Sequence, residues 1–356
     1  PVCIIAPISS WAAAVTGFVD GYDGLSLFID AIPYNFYALL TIVMMLTLAF
    51  MKFDFGPMKV HEKNAIEKGD LYTTPDRPYA NAKEEVVETK GKVIDLVLPI
   101  IVLIICCIIG MIYTGGFFDG ESEGYHNFVT AFSGSDASVG LVFGSAIGLI
   151  FTLIFLLARR VIGFKDAMDC VPAGFKAMVP AIMILTFAWT LKAMTDSLGA
   201  AEYVAGLVAQ SAGSFMNFLP AIVFLIAVGL SFATGTSWGT FGILIPIVVD
   251  VFGADGSTIM IIAISACMAG AVCGDHCSPI SDTTIMASAG AQSNHINHVS
   301  TQLPYALLVA GVSFVMYILA GFVQSVIVLP IAIAVMIGML FLIKYLTKDK
   351  STSAKA

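Results

Sequence analysis

The distribution of charge along this chain limits its fold more than any other feature. Apolar runs near 1–19, 33–51, 95–113, 138–158, 178–195, 219–250, 257–288, 303–324 and 326–346 alternate with polar connections. A helix needs about 20 apolar residues to cross a bilayer, and in lipid every backbone N–H and C=O must be satisfied inside the protein. Runs of this length predict an all-α, polytopic transmembrane protein. Composition points the same way. Hydrophobic residues make up 58% and charged residues 12%, against roughly 25% charged in a soluble domain. That shortage of polar surface excludes an ordinary soluble enzyme. The net charge of −8 excludes a nucleic-acid binder, which needs a basic face. The expected partner is the lipid bilayer, with no nucleic acid. The seven cysteines, mostly inside apolar runs, read as small buried hydrophobes and not as a disulfide framework.

Basic residues set the expected orientation, because they concentrate in cytoplasmic connections. The segment 52–92 holds eight of the seventeen Lys and Arg residues and little apolar content. It is expected to be a hydrophilic cytoplasmic linker between residues 1–51, the end of a first repeat, and residues 93–346, the second transmembrane half. The lysine-bearing tail, 347–356, is expected on the same side. The connections 20–32 and 114–137 carry acidic but no basic residues and should face outside. With 219–250 and 257–288 each read as one interrupted crossing, this count closes only if 198–217 also crosses. The chain opens at Pro1 inside an apolar element without a basic leader, so an N-terminally truncated chain is expected.

Two short stretches repeat. Pro7-Ile8-Ser9-Ser10 resembles Pro279-Ile280-Ser281-Asp282, and both interrupt apolar spans. The charge count sends them across the membrane in opposite senses, which is the mark of inverted-topology repeats with broken or re-entrant helices.

The interruptions carry the candidate chemistry. In Thr234-Gly235-Thr236-Ser237-Trp238-Gly239, glycines and hydroxyls cluster where a span should be most apolar. Irregular backbone at that depth must line a cavity or be buried in protein. Gly235 and Gly239 permit an unwound turn, although small residues at that spacing also suit helix packing. The hydroxyls of Thr234, Thr236 and Ser237 are hard oxygen donors for a small alkali cation. The second interruption places Asp275 and Asp282 seven residues apart around Pro279, with Ser281 and Thr283 beside them. An acidic residue at the bilayer centre costs about 2.5–3.5 kcal/mol, so a cation or a proton is the expected compensation. Competition of the two for one carboxylate is enough to couple their fluxes. Asp282 could instead cap the following helix, and Asp275 could serve His276. His295 and His298 form a pair that could sense pH or simply begin a helix. The Glu of a zinc-protease motif is missing from it. Cys273, His276 and Cys277 could in principle hold a soft metal, but no further pair completes such a site, so no cofactor and no resident metal are expected. Lys192 is the deep cation that an organic-anion site would need.

The stretches TGTSWGTFGILIPI at 234–247, GDHCSPISDTTIMASAGA at 274–291 and HVSTQLPYAL at 298–307 resemble the NhaC-type sodium/proton antiporter family. The resemblance implies an inverted-repeat secondary transporter, not an enzyme. It would exchange cytoplasmic Na⁺ for external H⁺ across the cell membrane, and homodimers are common among such proteins. Similar sequences include exchangers of malate and lactate. Carried to matching positions, it implies a site of Thr236, Ser237, Asp275, Ser281, Asp282 and Thr283, faced by Ser9 and Ser10 from the first repeat. Asp282 is the expected main titrating ligand.

Overall fold

A computed structural model describes residues 1–6, 11, 15, 24–78, 91–199, 216–252 and 256–347. Every regular element among them is helical. The α-helices are α1 (Gly24–Ala31), α2 (Phe36–Met51), α3 (Gly56–Lys68), α4 (Val93–Thr114), α5 (Phe128–Ser133), α6 (Ala137–Ala158), α7 (Phe164–Ser197), α8 (Leu219–Thr234), α9 (Ser237–Phe252), α10 (Thr258–Cys277), α11 (Asp282–Gly290), α12 (His295–Val323) and α13 (Val328–Leu346). Seven helical stretches, built on α2, α4, α6, α8, α10, α12 and α13, are long and apolar enough to cross a membrane. The protein is a multi-pass membrane protein.

The chain divides into two compact units, one from residues between Ala82 and Pro180 and one from α1–α3 with the chain beyond Ala181. In the first, α4 and α6 pack through glycines. A Cβ on Gly144 would lie 2.5 Å from the Cys107 Cα, and one on Gly110 would lie 2.3 Å from the Gly140 carbonyl. Asp95 forms an ion pair there with the Arg159 guanidinium at 2.7 Å, and its Oδ2 accepts the Lys92 N–H at 2.8 Å.

The second unit is organised around α10. Every residue from Met260 to Asp275 is buried. Small side chains make this possible, since lipid supplies no hydrophobic drive between helices and close packing must hold them. A Cβ on Gly270 would lie 2.5 Å from the Phe224 carbonyl oxygen, and one on Gly274 would lie 2.3 Å from that of Val228. The Ser231 hydroxyl, on α8, donates to the Ala271 carbonyl at 2.6 Å. Contacts therefore advance together along the two helices: 224 with 270, 228 with 274, 232 with 278. Helices α8 and α10 run parallel, and α9 brings the chain back between them.

This differs from the single interrupted crossing expected for 219–250. Gly235 takes φ 65° and reverses the chain, so α8 and α9 form a hairpin. With a hairpin there, the basic-residue count closes without a crossing from 198–217, a stretch of which residues 200–215 lie outside the described residues. Two further differences are local. The expected linker contains helix α3, started by Pro57 and ended by left-handed Gly69. Of the cysteines, only Cys267, Cys273 and Cys277 are buried, while Cys3 and Cys170 are exposed.

Candidate functional site

The two interruptions meet. At Gly235, a Cβ would stand 2.7 Å from the Ile280 carbonyl oxygen and 2.8 Å from its Cγ1. The backbone groups freed where helices end are satisfied across this junction. The Ser278 hydroxyl donates across it to the Phe232 carbonyl at 2.8 Å, while the Gly235 N–H closes the last turn of α8 itself on the Ser231 carbonyl at 2.8 Å. Left-handed backbone costs an L-residue roughly 1–2 kcal/mol, and the close carbonyl adds a clash. Gly235→Ala is therefore expected to lower the midpoint of thermal unfolding in detergent. An unchanged midpoint would mean that the junction is looser than this geometry.

Asp275 lies in the last turn of α10, with 3% of its surface exposed. Its Oδ2 accepts a hydrogen bond from the Thr283 hydroxyl at 2.8 Å. The Thr283 and Ser281 hydroxyls are 2.9 Å apart. Oδ1 is buried and has no hydrogen-bond partner among the described residues. A carboxylate in that condition is costly unless a positive charge or a proton joins it. Asp282 differs. It occupies the first position of α11, is partly exposed, and accepts the Thr283 N–H at 2.7 Å. The positive end of the helix dipole favours its charge. The N-cap is Ser281, whose hydroxyl accepts the Thr284 N–H at 3.3 Å; Asp282 itself does not cap.

The remaining expected residues fall into place as follows. Thr234 is buried and donates to the Leu230 carbonyl at 2.8 Å. Thr236 accepts the Gly239 N–H at 3.4 Å, and Ser237 is buried at the start of α9. Gly239 is not part of the interruption, because it lies in the first turn of α9, where Thr236 satisfies its N–H. Pro279 does lie between α10 and α11. Pro7, Ser9 and Ser10 lie outside the described residues, as does the side chain of Lys192.

The histidines separate. His295 spans the second interruption, with Nε2 2.7 Å from the Pro279 carbonyl oxygen and Nδ1 3.0 Å from the Ser288 hydroxyl. His298 lies in the first turn of α12, its N–H bonded to the Asn294 carbonyl at 2.9 Å. His276 does not pair with Asp275. Its Nδ1 is 3.1 Å from the Tyr37 hydroxyl, and its carbonyl accepts from the Gln302 amide at 2.8 Å. Sequence spacing could not show either partner, because Tyr37 is 239 residues away. Tyr37, His276, Gln302 and Tyr305 line a cavity of about 420 Å³, which His276, the residue after Asp275, reaches. Among the described residues, no group of three His, Cys, Asp or Glu side chains is placed to hold a metal ion.

The model of the Na⁺/H⁺ antiporter family matches residues 2–322. An uncharacterized protein of Haemophilus influenzae is 37% identical over 334 residues, covering 91% of this chain and 62% of that protein. The malate-2H⁺/Na⁺-lactate antiporter of Bacillus subtilis is 26% identical over 183 residues, 49% of this chain and 37% of its own. An uncharacterized Na⁺/H⁺ antiporter of Haemophilus influenzae is 30% identical over 159 residues, 43% of this chain and 33% of its own. The chain thus spans less than two thirds of the length of each of these relatives. No solved structure matches.

Proposed function

Because the chain belongs to the Na⁺/H⁺ antiporter family, we propose that it exchanges cytoplasmic Na⁺ for external H⁺ across the cell membrane, acting as a transporter and not an enzyme. The observation that carries this reading is the Asp275 carboxylate, buried with one oxygen lacking a partner among the described residues. Na⁺ and H⁺ are alternative ways to satisfy that oxygen. Thr283 and Ser281 supply neutral oxygens beside it, and Thr236 and Ser237 stand at the adjoining turn. Asp282, more accessible, attracts the cation toward the site. Ser9 and Ser10 are the counterparts we assign to the other repeat. The cavity beside His276 is the cytoplasmic approach. His295 ties the interruption to α11 and is the candidate for sensing pH, with His298 as its neighbour. Alternating access then follows from motion of the two interruptions together, since they touch at Gly235 and Ile280. A homodimer is the assembly we propose.

The test uses inside-out membrane vesicles, acidified by respiration, from cells that express the protein. Adding NaCl is expected to alkalinise the lumen, and KCl is not. The apparent affinity for Na⁺ should fall as pH falls, because a proton and a cation compete for one ligand. No response to Na⁺ would remove the reading. A second reading, exchange of a small organic acid with Na⁺ as co-ion, is favoured by the similarity to the malate-2H⁺/Na⁺-lactate antiporter. It requires that the response to Na⁺ appear only when malate or lactate is present.

A further inference from the structure

A second, larger concavity adjoins the one at His276 and shares Leu48 and Asp54 with it. It has a volume of about 1220 Å³ and is formed by the end of α2, the length of α3 and the end of α13. Four lysines line it: Lys52, Lys59, Lys63 and Lys344. Two of them are held at the helix ends by backbone contacts. The Lys344 ammonium donates to the Met51 carbonyl at 2.8 Å and stands 5.6 Å from the centroid of the Phe53 ring. The Lys59 ammonium donates to the Thr347 carbonyl at 3.4 Å. Asp54, Glu62 and Glu67 share the lining, and Asp54 accepts the Tyr305 hydroxyl at 2.9 Å. The rest of the wall is apolar, including Leu48, Phe53 and Phe341. Ile66 and Phe341 are exposed, at 74% and 58%.

Lys52 and Lys344 at the ends of two membrane spans and Lys59 and Lys63 on α3, with apolar residues continuing down the two spans, form an amphipathic slot at the level of lipid headgroups. A soluble anion would use the lysines but leave the apolar wall bare. We infer that this concavity binds an anionic phospholipid, its phosphodiester at Lys52, Lys59 and Lys63 and its acyl chains along Leu48 and Phe341. The basic connection places this end of the protein at the cytoplasmic leaflet, where anionic lipids give a negative surface potential. The lipid would join α2, α3 and α13, which Lys344 and Lys59 already tie together.

The test titrates purified protein in detergent with phosphatidylglycerol, with phosphatidylcholine, and with soluble glycerol phosphate. Native mass spectrometry counts retained lipid, and thermal unfolding gives the midpoint. The expected result is selective retention of phosphatidylglycerol, a raised midpoint, and no effect of glycerol phosphate. In Lys59→Gln/Lys63→Gln, retention should weaken about fivefold per lysine. Glu62→Gln/Glu67→Gln removes opposing charge from the same wall and should strengthen retention, an outcome that misfolding cannot imitate. Equal retention of both lipids would overturn the inference. So would retention unchanged in both double variants, or saturation by glycerol phosphate.

Discussion

Asp275→Asn is expected to abolish Na⁺-dependent proton exchange while leaving the protein folded and inserted. The substitution keeps the shape of the side chain, and the amide oxygen can still accept from the Thr283 hydroxyl, which is 2.8 Å away in the parent. What disappears is the negative charge and the ability to take up a proton. With 3% exposure, no water shell stands in for the lost ligand. Hydrogen bonds to charged groups are worth about 1.5–3 kcal/mol, and every 1.4 kcal/mol is a tenfold change. Na⁺ binding is therefore expected to weaken about 100-fold, which takes exchange below detection. Asp282→Asn should cost less, about tenfold, because that carboxylate is partly exposed and is already bonded to the Thr283 N–H. Both variants are read in vesicles by a fluorescent pH probe, with protein level measured alongside. Full exchange in Asp275→Asn together with none in Asp282→Asn would reverse the roles assigned to the two carboxylates.

Gly274→Leu is expected to cause the largest loss of stability of any single change in α10. Its Cβ would lie 2.3 Å from the Val228 carbonyl oxygen and 2.8 Å from both the Phe232 nitrogen and the Ser231 Cβ. Backbone atoms cannot move aside as a side-chain tip can. Overpacking of this kind costs about 1–3 kcal/mol. Pushing α8 away also stretches the Ser231–Ala271 and Ser278–Phe232 bonds, 2.6 and 2.8 Å long, each worth about 0.5–1.5 kcal/mol. A total of about 2–6 kcal/mol would lower the unfolding midpoint clearly in detergent and bring down exchange with it. Gly311→Ala is the control. A Cβ added to that glycine, on α12, would meet no neighbouring atom within 4 Å, and Ala is favoured over Gly in a helix by about 1 kcal/mol. If both variants unfold alike, the close approach of α8 and α10 is not what holds this unit.

Much of the site was legible because its chemistry is local. Hydroxyls, glycines and two aspartates inside apolar runs are conspicuous in any order of folding, since lipid penalises each of them. The boundaries at 235 and 278–281 followed from Gly, Ser and Pro alone. What each residue does there was less legible. Ser281 and Asp282 are neighbours with similar capping power, and only the helix start decides which of them caps. His276 and Asp275 are neighbours in sequence but bond to Tyr37 and Thr283, because successive residues on a helix point about 100° apart.

The sequence by itself determined that this chain spans a membrane with helices, that 219–250 and 257–288 are interrupted, and which polar side chains lie at those interruptions. Those conclusions rest on the cost of unsatisfied polar groups in lipid, which is incurred residue by residue. Only the tertiary structure decided that 219–250 is a hairpin, that α8 and α10 lie parallel with their interruptions in contact, and that Asp275 is the more deeply buried carboxylate. Those facts depend on which backbones approach closely enough to touch. Gly235, Gly270 and Gly274 permit that approach, but a glycine in the sequence does not say which neighbour it admits.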